Sequence, residues 1–153
     1  MRVFNGFEHT AYIPRPVVTI GSYDGVHRGH REILSHLEAL ARARKGESVV
    51  VTFHPHPRLV LGRGEGLRLL TTLPEKLELL EQAGIDNVIV APFTESFSRL
   101  GAEEFMDTPD LGIRLDVGIV FKAPPLAKDE ADPASEGIHI ALADLHAVIH
   151  RKG

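Results

Sequence analysis

Three glycines and two histidines fall within Gly21-Ser22-Tyr23-Asp24-Gly25-Val26-His27-Arg28-Gly29-His30, directly after the apolar run Pro16-Val17-Val18-Thr19-Ile20. Residues of these types at this spacing handle phosphate. Gly21, Gly25 and Gly29 let the backbone turn sharply and approach a ligand, because a residue without Cβ tolerates positive φ and leaves room at the surface. The helical pattern beginning near His27 turns its free N–H groups and positive dipole end toward the same space. His27 and His30 are three residues apart, so in a first helical turn they share one face and can converge on one anion. Ser22, Tyr23 and Asp24 complete the loop, and Asp24 is also a turn former able to hydrogen-bond the loop backbone. Taken alone, the stretch reads equally well as a strand-to-helix turn whose histidines cap the helix or face solvent.

The elements that position this loop alternate short apolar runs with helical segments, the pattern of βαβ units and a parallel sheet. The first strand is 17–20. The helix after the loop buries Ile33, Leu34, Leu37, Leu40 and Ala41 along one stripe and turns Arg31, Glu38, Arg42 and Arg44 outward, with Gly46 as its stop. Ser48 to Phe53 is an uninterrupted β-branched run, as expected of a strand covered on both faces, and His54-Pro55-His56-Pro57-Arg58 cannot continue a sheet ladder. Thr72-Leu73-Pro74-Glu75 is a capping box with a tolerated first-turn proline. Its helix buries Leu77, Leu80 and Ala83 and stops at Gly84. A third strand follows over 87–92, and a short helix is expected over 102–106. The fold class is therefore α/β, a Rossmann-like parallel sheet with helices on both faces. Residues 1–122 form the domain, 123–137 a linker or long loop with three prolines, and 138–153 a separate tail read as helical over 138–150.

Composition narrows the function class. The 153 residues suit one domain with a sizeable core. Hydrophobic content of 43%, charged content of 25% and mean hydropathy of -0.02 describe an ordinary globular chain. A net charge of -4 and a pI near 6.1 disfavour nucleic acid as a partner, while a small phosphorylated ligand needs only a local positive site. The absence of cysteine excludes disulfides, thiolate metal sites and cysteine nucleophiles, and fits a reducing compartment. No signal-peptide core or membrane-length run is visible, so the expected location is the cytoplasm, away from membranes. His54 and His56 read as part of a solvated proline loop, because a metal site there lacks a recognisable third ligand. His139, His146 and His150 would span some 16 Å of helix axis, too far for one ion.

Four blocks taken together resemble a known family: GSYDGVHRGH after strand one, VVVTFHPHPRLVL at strand two, LLTTLPEKLELLEQAGID before strand three, and PFTESFSRLGAEEF after it. In order and spacing they are similar to the FMN adenylyltransferase (FAD synthetase) module of bacterial bifunctional riboflavin kinase/FAD synthetases, over about residues 1 to 106. The resemblance implies transfer of AMP from ATP to FMN, giving FAD and pyrophosphate, with Mg²⁺ accompanying ATP and held mostly by water and nucleotide oxygens rather than by a dedicated protein metal site. It implies that His27 and His30 act on the phosphates and that Gly21, Ser22, Tyr23, Asp24, Gly25 and Gly29 shape the ATP loop. Phe53, Pro55, His56 and Pro57 would make a stiff wall beside the flavin.

The chain departs from that family after about Met106. Leu115 to Pro124 matches the family's next block only in part, with Val120 where Asn or Asp is usual and Ala123-Pro124 in place of Phe-Gly. No segment like the family's ISSTxIR motif follows, and the riboflavin kinase module is absent from this sequence. Three functions are consistent with these features: an FMN adenylyltransferase-like enzyme, a catalytically defective ATP- or flavin-binding module truncated or altered in its tail, and a nucleotidyltransferase with another acceptor.

Overall fold

The computed structural model describes residues 1–62 and 65–99 together with the strand residues Val120 and Phe121. The expected helix at 102–106, the linker and the tail lie outside the described residues. β1 (Arg2–Asn5), β2 (Val17–Ile20), β3 (Ser48–His54), β4 (Asn87–Pro92) and β5 (Val120–Phe121) form one sheet in the order β1-β4-β3-β2-β5, with every neighbouring pair parallel. α1 (Arg28–Ala43), α2 (Pro57–Val60), α3 (Leu73–Gln82) and α4 (Glu95–Ser98) lie in the connections. The sheet has β3 on one side of β2 and β5 on the other, so the strand order reverses at β2. Ligands of open α/β sheets bind at the carboxyl ends of the strands at such a reversal, and the glycine loop leaves β2 there.

Strand parity sorts the core into two layers. Val17, Val50, Val88 and Val90 face α1 and α3 and pack with Leu34, Leu37, Ala41, Leu80 and Ile85. Val18, Ile20, Val49, Val51, Phe53, Ile89 and Ala91 face the other way, where Phe7, Ile13 and Phe93 cover them, with Val60 after α2's start and Phe97 of α4 packed alongside. β2 is buried throughout, as its apolar run requires.

Several local expectations are corrected. β1 was not expected: it is a four-residue edge strand whose pairing with β4 is remote in sequence. The second strand runs one residue past Phe53, since His54 still pairs with Pro92. In α1, Leu34, Leu37 and Ala41 are buried, whereas Ile33 and Leu40 are only partly so. Its stop is a Schellman turn in which Lys45, not Gly46, takes the left-handed conformation (φ 53). The N–H of Gly46 donates to Ala41 and that of Lys45 to Arg42. Gly46 serves a different need, because a Cβ there would sit 2.0 Å from the Arg15 carbonyl oxygen. α3 carries both halves of its capping box, and its buried residues are Lys76 and Leu80, with Leu77 and Ala83 only partly covered.

The amino ends of the strands are tied by a polar network. Asn87, fully buried, accepts from Arg2 Nε at 2.8 Å and donates to Glu47 and to the Ser48 carbonyl. Asp86 accepts from both the backbone N–H and the hydroxyl of Ser48 at 2.8 Å, and Arg2 also pairs with Glu47. Asn87→Ala leaves the Arg2 donor and the Ser48 carbonyl without this partner, and is expected to lower unfolding free energy by about 1–3 kcal/mol. Urea denaturation with an unchanged midpoint would contradict that role.

Candidate functional site

The chain leaves β2 still in sheet register, with Gly21 N donating to the Val51 carbonyl at 3.0 Å. A Cβ on Gly21 would stand 2.9 Å from the Tyr23 ring. Tyr23 itself is left-handed (φ 49) and only 2% exposed; its ring enters the core beside α1 and α3, and its hydroxyl lies 2.7 Å from Thr19 Oγ1. Burial pushes its pKa up to about 12 against the opposing pull of that hydrogen bond. Asp24 to Val26 make one 3₁₀ turn. Gly25 has φ 70, and a side chain there would meet Leu70 at 2.7 Å. Val26, buried in the same turn, has φ 39, a strained backbone for a β-branched residue.

Asp24 locks this turn to the entry of α3. Its carboxylate accepts from the N–H of Leu70 at 3.0 Å, from the N–H of Thr71 at 3.0 Å and from the Thr71 hydroxyl at 3.1 Å. Gly25 N donates to the same hydroxyl at 3.0 Å. Partial burial works to raise the Asp24 pKa, but the donors from Leu70 and Thr71 outweigh it and hold the carboxyl below its ordinary value. His56 contributes favourable electrostatics in the same direction.

His27 is the N-cap of α1, its Nδ1 accepting from His30 N at 3.4 Å. The two imidazoles stack with centroids 3.6 Å apart and planes 18° from parallel, and the Tyr23 ring lies 5.0 Å from that of His30. A Cβ at Gly29 would lie 3.4 Å from the His27 ring, an ordinary contact, so the stack does not itself demand a glycine there. His27 is exposed, while His30 is partly covered and its Nδ1 is a buried atom without a hydrogen-bond partner. Burial is the main reason that the His30 pKa falls to about 4; the charges of His27 and Lys76 add to it and Asp24 opposes it. His30 is therefore neutral near pH 7, a donor or acceptor through one ring nitrogen at a time.

The residues of the second block divide. Phe53 is buried on the opposite side of the sheet from Tyr23, edge-on to Phe93 at 5.5 Å and tilted to Phe97 at 5.8 Å. Pro55 follows a cis peptide and is exposed. His56 caps α2, accepting from Arg58 N at 3.2 Å, and Pro57 is buried at the first helical position. Ser22 offers its carbonyl to the Thr52 hydroxyl at 3.1 Å.

Thr52, Thr71 and Lys76 also join this loop, though no motif in the sequence marks them. Lys76 carries a detectable signal: it lies three residues after Leu73 and four before Leu80, on the stripe that α3 buries. Its Nζ donates to Thr52 Oγ1 at 3.3 Å, and burial lowers its pKa despite the opposing charge of Asp24.

The sequence profile described as FAD synthetase matches residues 10–117. The chain belongs to the FAD synthetase family. The bifunctional riboflavin kinase/FMN adenylyltransferase of Bacillus subtilis is 35% identical over 102 residues, which is 66% of this chain and 32% of that protein. The protein of the same description from Escherichia coli K12 is 35% identical over 108 residues, 69% of this chain and 34% of its own length. This FAD synthetase-family chain thus spans about a third of the length of the curated relatives it matches. A crystal structure of a macrolide-efflux protein from Streptococcus pneumoniae superposes with a TM-score of 0.63 at 23% identity, covering 73% of this chain and 40% of that one. That likeness shows the fold alone. Among the described residues, no helix is long and apolar enough to cross a membrane.

The low pKa of His30 has a consequence for stability. Between about pH 4 and 6.5 the unfolded chain binds a proton at His30 that the folded chain refuses, so stability rises with pH across this window and is lost as pH falls through it. The Asp24 contribution is lost only at more acid pH, below its ordinary range. His30→Ala is expected to flatten the dependence of melting temperature on pH from 4 to 6.5. An unchanged slope would contradict the burial of a neutral imidazole.

Proposed function

We propose that this chain transfers AMP from ATP to FMN, giving FAD and pyrophosphate. Family membership across residues 10–117, with the stacked histidine pair at the amino end of α1 where the sheet order reverses, is the observation that carries this reading. In this reaction an oxygen of the FMN phosphate attacks the α-phosphorus of ATP. The bond from that phosphorus to the oxygen bridging it to the β-phosphate breaks, and pyrophosphate leaves with the electron pair. The FMN phosphate is already a nucleophile at neutral pH, so no general base is required. The protein's work is alignment and charge stabilisation.

In this reading His27 and His30 are the residues that act on the reacting phosphates. A neutral His30 serves as a hydrogen-bond donor through a ring N–H, and an arriving phosphate raises its affinity for a proton. Gly21, Ser22, Asp24, Gly25 and Gly29 form the phosphate loop, with Tyr23 setting its conformation from the core. Pro55 and His56 form the flavin side of the cleft, with Phe53 and Pro57 supporting them from inside. Magnesium enters as part of the ATP substrate. Asp24, the loop's own carboxylate, is engaged by Leu70 and Thr71, and among the described residues no three His, Asp or Glu side chains group to hold a metal. The catalytic module spans residues 1–122, with 123–137 as a linker and 138–153 as a divergent tail. ATP and FMN are small-molecule substrates of the cytoplasm, and the reading places the chain there.

Incubation with ATP, Mg²⁺ and FMN, followed by chromatography, is expected to show FAD and pyrophosphate in equal amounts. Absence of FAD removes adenylyl transfer to FMN, and product formation with another phosphorylated acceptor would reassign the substrate. His30→Ala is expected to lower kcat by roughly a hundredfold or more, as loss of a transition-state donor does, with a much smaller effect on melting temperature. Equal loss of both would make His30 a structural residue.

A further inference from the structure

Among the described residues, Lys76 is the one charged side chain in the buried set, at 6% exposure. Its ammonium has three donors and gives one hydrogen bond, to Thr52 Oγ1 at 3.3 Å. The Thr52 hydroxyl passes the contact on to the Ser22 carbonyl of the glycine loop at 3.1 Å. No carboxylate among the described residues lies within ion-pair distance of Lys76. Asp24 acts on it only electrostatically, its carboxylate being hydrogen-bonded to Leu70 and Thr71. A buried ammonium without an anion is costly, and a lysine kept only for packing is replaceable by an apolar residue of the same length. His30 feels the Lys76 charge and has its own buried, unpartnered Nδ1. Two polar groups with unused hydrogen-bonding capacity therefore lie at the loop that leaves β2: an ammonium that favours an anion, and an imidazole that can donate to one through a ring N–H.

We infer that Lys76 is a phosphate-positioning residue: anchored through Thr52 to the Ser22 carbonyl, its ammonium is the buried positive charge that steadies the polyphosphate of ATP over the glycine loop. The identity of the anion rests on the adenylyl-transfer reading; the requirement for one does not. Lys76 fixes the loop through Thr52 and acts on the phosphates by its field, while His27 and His30 remain the contacting groups.

Calorimetric titration with inorganic pyrophosphate separates the two roles of Lys76. Lys76→Met is expected to bind pyrophosphate roughly tenfold more weakly or worse, the size of one lost charge-assisted interaction, with melting temperature unchanged or raised. Its KM for ATP is expected to rise while that for FMN stays the same, and Lys76→Arg is expected to recover most of the loss. Pyrophosphate affinity of Lys76→Met within about twofold of the wild type overturns the assignment. If Lys76→Met does not fold, nitrogen-15 NMR of the wild-type lysine ammonium groups decides: the Lys76 signal is expected to shift on adding pyrophosphate, and an unmoved signal overturns the inference. A wild type that makes no FAD, yet loses pyrophosphate binding on Lys76→Met, retains the Lys76 role and discards FMN transfer. FAD formation with the same ATP KM in both proteins does the reverse.

Discussion

The Asp24 carboxylate joins two pieces of chain that the sequence separates by more than forty residues. It takes up the N–H groups of Leu70 and Thr71 and the Thr71 hydroxyl, which in turn receives the N–H of Gly25. The glycine loop and the entry to α3 thereby become one rigid unit. The left-handed Gly25, pressed against Leu70, is required by this closeness, and Lys76 enters the core one turn after the segment that Asp24 holds. The Thr71 donors both fall on Oδ1, while Oδ2 only shares the N–H of Leu70. Asp24 thus organises the loop, and in the proposed reaction phosphate handling falls to α1 and the histidines.

The two ends of the sheet treat polar groups in opposite ways. At the amino ends of the strands, Arg2, Glu47, Ser48, Asp86 and Asn87 satisfy one another, so burial there adds to stability. At the carboxyl ends, Tyr23 and Val26 have left-handed backbones, His30 keeps an unpartnered ring nitrogen, and Lys76 is buried without a carboxylate. Left-handed backbones occur at both ends, with Arg15 and Lys45 shortly before β2 and β3, but unmet polar capacity gathers at the end where the glycine loop lies, as expected where a site is preorganised for a ligand. The saturated end and the two apolar layers hold the molecule together, and the proposed anion site lies at the other end.

Much of this was legible because it depends on local chemistry. Val17–Ile20 and Ser48–Phe53 read as buried strands from their β-branched runs, the Thr72–Glu75 capping box located α3, and the glycine and histidine spacing located the turn from β2 into α1. Parity also explains the face of Phe53: with Val49 and Val51 on one side, Phe53 must follow them away from Val50 and the α1 layer. β1 escaped because an exposed four-residue edge strand has little pattern and its partner lies over eighty residues away. α2 and α4 are single turns, too short to show a helical period. The path of Tyr23 into the core depends on a left-handed backbone that no propensity predicts, and only its place on the α3 stripe marks Lys76 as buried.

A crystal structure of this chain with a non-hydrolysable ATP analogue tests the central claim most directly, that the loop at residues 21–30 is a polyphosphate site. The expected result is density for the phosphates over the amino end of α1, within hydrogen-bond distance of His27 or His30, with Asp24 still bound to Leu70 and Thr71. Nucleotide bound elsewhere, or an Asp24 released from that clamp to contact the ligand, would contradict it.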